Sequence, residues 1–179
     1  TSLGGLIGMW LASLKDSPVA KLVLNEAGPV VSRFSLERIA SYLGLAPIFP
    51  DLEAAEKYVR AVSAPFGPHS DAEWRFLTEV AVRRYADGGY RMHYDPRIAE
   101  PFRAQMPDKD LELWPLYEAV RCPTLVLHGE RSDLLSRDTC DRMARCGPKA
   151  KTVEIAGVGH APTLLHADQI APVRDFLLR

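Results

Sequence analysis

The chain has 179 residues, 47% hydrophobic and 25% charged, with 22 Lys and Arg against 23 Asp and Glu for a net charge of −1. That balance suits one globular domain with at most a small insertion, and it excludes a polycationic nucleic-acid binder or a surface drawn to anionic membrane. Three cysteines without a C-x-x-C pair exclude a disulfide framework or zinc ribbon, and five histidines without H-x-x-x-H or H-E-x-x-H spacing leave no metal site expected.

The chain opens on Thr1-Ser2-Leu3-Gly4-Gly5, followed by an apolar helical pattern over residues 3–14. That segment falls short of the ~18 apolar residues of a membrane span, and its glycines suit a core helix. Lys21-Leu22-Val23-Leu24-Asn25 is the first near-continuous apolar run, the pattern of a parallel strand covered on both faces. Residues 34–43, 51–64 and 71–85 then read as amphipathic helices, starting at Ser35, at Pro50-Asp51 and at a Ser70/Glu73 capping box. Gly88-Gly89 breaks the pattern, and Asp95-Pro96 opens a short helix through Phe102. A block of helices set between two strands of a parallel sheet reads as a lid over the strand ends.

Residues 123–128 form the second apolar strand, and residues 137–146 a helix behind the N-cap Ser136. Residues 151–155 are a third strand whose apolar residues alternate with polar ones, as on a sheet edge, and residues 165–178 close the chain as a helix. The alternation implies a parallel sheet with right-handed crossovers.

Three features carry chemistry. Ser2, ahead of Gly4-Gly5 and the N-terminus of an apolar helix, fits a tight strand-to-helix turn in which the amide of Leu3 and the helix dipole can stabilise an oxyanion. His160, in Gly157-Val158-Gly159-His160, follows the third strand, where a doubly wound sheet places ligand chemistry. A carboxylate at the same sheet edge is offered twice: Glu26 after the first strand and Asp133 after the second. Each feature has a plainer reading, as a capping serine, a solvated loop histidine, a turn aspartate or a solvated glutamate.

Taken in order, Thr-Ser-Leu-Gly-Gly, Leu-Val-Leu-Asn-Glu-Ala-Gly-Pro, Cys-Pro-Thr-Leu-Val-Leu-His-Gly-Glu-Arg-Ser-Asp and Gly-Val-Gly-His-Ala-Pro resemble the α/β-hydrolase superfamily over nearly the whole chain. The similarity is greatest to its capped esterase, lactonase and C–C hydrolase branch. The resemblance implies an α/β fold represented by its C-terminal portion. Residues 1–29 and 116–179 would hold parallel strands six to eight with their helices, and residues 30–115 an inserted helical cap. It implies a Ser2–His160–acid triad with no cofactor, acting on an ester, a lactone or an activated C–C bond. Family members commonly carry the acid where Ser132 stands, with Asp133 one residue later, while some relatives move it to the place of Glu26. Both acids stay open, with Ser132 expected to hydrogen-bond His160 in the vacated position.

The partner implied is a small-molecule acyl substrate, apolar or aromatic if Trp74, Phe76, Tyr85, Tyr90, Tyr94, Trp114 and Tyr117 line its site. For most of these, ordinary helix packing is the simpler account. No nucleic acid or membrane is expected as a partner, and reduced thiols point to the cytoplasm. Two other readings are a non-catalytic ligand-binding relative and an inactive truncated piece. Because the chain opens in mid-motif, the upstream strands and second oxyanion donor are expected to lie outside it. One flank of the first helix and one edge of the first strand would then lie bare, leaving the isolated chain unstable and inactive.

Overall fold

A computed structural model describes residues 1–178. In chain order the elements are α1 (Ser2–Ser13), β1 (Leu22–Asn25), β2 (Val30–Val31), α2 (Arg33–Tyr42), β3 (Ile48–Phe49), α3 (Leu52–Val62), α4 (Asp71–Ala81), β4 (Val82–Arg84), β5 (Tyr90–Met92), α5 (Ala99–Ala104), β6 (Leu111–Glu112), α6 (Trp114–Ala119), β7 (Thr124–Gly129), α7 (Arg137–Met143), β8 (Lys151–Ile155) and α8 (Ala167–Leu178), with single 3-10 turns at Ala64–Phe66 and Pro96–Ile98. They form two compact units. One comprises Thr1–Arg33, Pro65–Gly67 and the chain from Lys109 onward; the other comprises Phe34–Ala64 and Pro68–Asp108.

The first unit is built on a parallel sheet in the order β1-β7-β8. The central strand β7 is buried along its whole length, which is why its sequence runs apolar without alternation. On β8 the exposed Lys151, Thr152 and Glu154 match its place at the edge. Leu24 pairs with Val126 and Asn25 with Leu127, while Gly129 pairs with Ile155, so the C-terminal ends of the three strands lie side by side. Helix α1 packs closely on β1. A Cβ added at Gly5 would stand 2.5 Å from that of Ala27, whereas one at Gly4 would meet no described atom within 4 Å. Close approach therefore makes its demand at Gly5, three residues after Ser2. Met9, Ala12, Leu24, Tyr117, Val126 and Met143 fill the core, and the buried Tyr117 hydroxyl donates to the Met143 carbonyl at 2.7 Å.

The other face of α1 is bare. Leu3, Ile7, Trp10 and Leu14 recur at helical spacing and are 44% to 62% exposed. Among the described residues, β1 pairs with β7 alone. No described helix is long and apolar enough to cross a membrane.

The second unit contains helices at the expected places, but two of its details correct the sequence expectation. Asp51 caps α3 through the Ala54 amide, and Ser70 and Glu73 form both halves of the capping box on α4. However, α4 ends at Ala81, where Val82 turns extended, and β4 forms a hairpin with β5 to which β3 adds a third strand. Val82 pairs with Met92 and Arg84 with Tyr90, so Gly88-Gly89 is the tip of a hairpin rather than a simple break. Tertiary pairing of the β-branched Val82 outweighs a helical periodicity that would have run on to Tyr85. The second correction concerns Ser35, expected as a helix start. It is fully buried inside α2, and the helix begins at Arg33, whose amide donates to Asp110 Oδ1 at 2.8 Å.

Candidate active site

Three strand-end loops of the first unit meet. Ser2 stands at the start of α1 with φ +48°, and Glu26, directly after β1, has φ +52°. Such left-handed values are uncommon for residues other than glycine and are held only where the surroundings enforce them. The two residues are linked by one imidazole. His160 Nε2 lies 3.1 Å from Ser2 Oγ, and His160 Nδ1 lies 3.4 Å from Glu26 Oε2.

Glu26 is entirely buried, yet both of its oxygens are satisfied. Oε1 accepts the Gly129 amide at 2.6 Å, and Oε2 accepts the Ser132 hydroxyl. Ser132 Oγ in turn accepts the amides of Leu134 at 3.1 Å and Leu135 at 3.0 Å. Its lone pairs are thereby taken, so its single proton is directed at the carboxylate. The structure thus puts the Ser132 hydroxyl on the acid rather than on His160, where the sequence expectation had it. Of the two candidate acids, Glu26 is the one that meets the imidazole; Asp133 is exposed in the turn after β7.

The loop that carries His160 is fastened to the loop after β7. Val158 O accepts the Arg131 amide at 2.8 Å and Glu130 Oε2 accepts the Gly157 amide at 2.7 Å, while Pro65 O, from the 3-10 turn Ala64–Phe66, accepts the Gly159 amide at 2.7 Å. The fit demands glycine at 129. A Cβ there would stand 2.5 Å from Gly159 O and 2.6 Å from Val158 O. Beyond His160 the chain is held by the buried Gln169, whose Oε1 accepts the Leu164 amide at 2.7 Å. Leu3 lies in the first turn of α1, where helical amides have no acceptor within the helix.

Asn25 reads in the sequence only as a strand end. The structure places its amide against Thr1 and Pro162, and the available signal was a polar residue closing an apolar run. Two of the three cysteines are held as neutral thiols. Burial pushes the Cys140 thiol up to about 12 and raises that of Cys122. Among the described residues, no group of three or more His, Cys, Asp or Glu is placed to hold a metal ion.

A hydroxyl within hydrogen-bond reach of an imidazole, itself backed by a buried carboxylate, is an arrangement suited to activating the oxygen as a nucleophile. Residues 1–173 match the model of the alpha/beta hydrolase family, and the chain belongs to that family. It is 42% identical over 183 residues to the 3-hydroxybutyrate-oligomer hydrolase of Cupriavidus necator, covering 98% of this chain and 62% of that protein. Among solved structures it resembles an alpha/beta hydrolase from Novosphingobium aromaticivorans, with 36% identity, a TM-score of 0.88, and coverage of 99% of this chain and 63% of that one. A Rickettsia typhi protein is 30% identical with a TM-score of 0.89, and coverage is 99% and 60%. The chain therefore spans about three-fifths of the length of these relatives.

Proposed function

We propose that the protein is a serine-nucleophile hydrolase of carboxylic esters, with Ser2 as nucleophile, His160 as general base and acid, and Glu26 as the residue that orients the imidazole. The observation that carries this reading is the imidazole shared between Ser2 Oγ and Glu26 Oε2 at 3.1 and 3.4 Å. Ser2 Oγ attacks the ester carbonyl carbon while His160 Nε2 takes its proton. The Leu3 amide and the α1 dipole favour the oxyanion that forms. As the C–O bond breaks, His160 returns the proton to the departing alkoxide. Water then attacks the acyl-serine, His160 takes a proton from it, and the carboxylic acid leaves as Ser2 is restored. Ester and water give acid and alcohol, with no redox change.

The name of the Cupriavidus relative supports a narrower substrate class. In a 3-hydroxybutyrate oligomer each linkage is an ester between the carboxyl of one unit and the hydroxyl of the next, which this chemistry cleaves. We assign short hydroxyacyl esters as the substrate class, ahead of lactones and activated C–C bonds.

The test uses the full-length protein with linear 3-hydroxybutyrate trimer, p-nitrophenyl butyrate and a p-nitrophenyl arylacetate. Release of 3-hydroxybutyrate that disappears in S2A and H160A, with fluorophosphonate labelling confined to Ser2, is the expected result. Labelling without trimer cleavage would remove the substrate class. Absence of both would leave a non-catalytic binder.

A further inference from the structure

The last residue of β1 carries a side chain that the mechanism above does not use. Asn25 is 3% exposed, and its amide nitrogen donates to Thr1 Oγ1 at 3.0 Å and to Pro162 O at 2.9 Å. A carbonyl such as that of Pro162 can only accept, which sets the orientation of the amide. Thr1 directly precedes Ser2, and Pro162 follows His160 by two residues. One side chain therefore ties together the segments that carry the nucleophile and the base, while the next residue, Glu26, meets Nδ1 of His160.

Stability alone does not explain an amide here. The run Leu22-Val23-Leu24 ends in a buried place where a leucine would continue the pattern without desolvating a polar group. Among the described residues the buried Asn25 Oδ1 atom has no hydrogen-bond partner, so the side chain is placed for its nitrogen rather than its oxygen. A hydroxyl has one proton and a carboxylate none, whereas a primary amide supplies two donors in a fixed fork.

We propose that Asn25 is a positioning residue that sets the distance between Ser2 Oγ and His160 Nε2 by fastening Thr1 and Pro162 to the end of β1. It touches neither substrate nor reacting atoms. The proposal rests on the reading of Ser2 and His160 as nucleophile and base.

The experiment compares full-length wild type with N25L, N25D, T1V and T1S. It reads kcat, KM, Tm and the rate of fluorophosphonate labelling at Ser2. In N25L, kcat and the labelling rate should fall together by roughly 10- to 100-fold, the scale expected when reacting groups are misplaced by a fraction of an ångström, with KM within about twofold. N25D, which keeps the shape but loses both donors, should behave likewise. T1V should show a smaller loss of the same kind, T1S should match wild type because it keeps the hydroxyl, and T1V should add nothing in the N25L background. Should N25L fail to fold, N25D and T1V carry the same test. Wild-type kcat and labelling in folded N25L or N25D would overturn the proposal. So would a rise in KM with kcat unchanged. Wild type that never labels at Ser2 would instead remove the hydrolase reading, and this proposal with it.

Discussion

Replacing Gly129 by alanine tests how tightly the loop that carries His160 is set. The added methyl would lie 2.5 Å from Gly159 O and 2.6 Å from Val158 O, both backbone atoms that cannot rotate aside. An ordinary carbon–oxygen contact is about 3.3 Å, so the 158–159 segment must retreat by about 0.8 Å. His160 is the next residue. If the shift is passed on along the bond axis, the Ser2–His160 contact opens from 3.1 Å to about 3.9 Å, beyond hydrogen-bond range. The Gly129 amide also donates to Glu26 Oε1, so the acid is disturbed at the same time. Overpacking of this kind costs about 1–3 kcal/mol, and a misplacement near 1 Å costs about 10²-fold in rate. The measurement is kcat on p-nitrophenyl butyrate together with a thermal melt of full-length G129A. Wild-type turnover with an unmoved Tm would show that the two loops yield freely and that the geometry argued from their contact does not govern catalysis.

Three further expectations concern this site and the core beneath it. E26Q should lower kcat by about 10⁴-fold, the scale seen when a triad acid is replaced by its amide, while D133N should leave it within about twofold; steady-state kinetics of the pair decides between the two carboxylates. S132A removes the hydroxyl that joins Glu26 to the Leu134 and Leu135 amides. It should destabilise the fold by about 1–3 kcal/mol in urea unfolding and slow turnover, with S132T recovering both. The Cys140 thiol is neutral in the fold up to about pH 12, against an ordinary value of 9.0. The unfolded chain therefore releases this proton first, and the stability this thiol contributes should fall as pH rises from 9 towards 12, a component that C140A removes. Ellman's reagent at pH 8 should reach Cys140 only after denaturation.

Much of this architecture is legible in the residues themselves. Leu22-Val23-Leu24 and Leu125-Val126-Leu127 announce buried parallel strands because a strand covered on both faces has no reason to alternate. Ser70 and Glu73 announce the start of α4 because a capping box is a local device, complete within four residues. The order of the serine, strand and histidine-loop motifs points to the family because each is a short contiguous string, legible without knowing what it packs against.

Tertiary contacts decided what local pattern left open. Glu26 and Asp133 are equally plausible in sequence, since both follow strands that end at the same sheet edge. The choice between them depends on φ +52° at Glu26 and on a Gly129 amide 103 residues away in the chain. Ser132 reads as a neighbour of His160, yet two amides of its own turn occupy its lone pairs and send its proton to Glu26. The strand at Val82 is likewise invisible to helical periodicity, because its partner Met92 becomes a neighbour only once the hairpin has closed. Asn25 shows the limit most plainly. A polar residue closing an apolar run can be noticed in a sequence, but its two acceptors, Thr1 and Pro162, stand 24 and 137 residues away, and only the folded chain brings them to it.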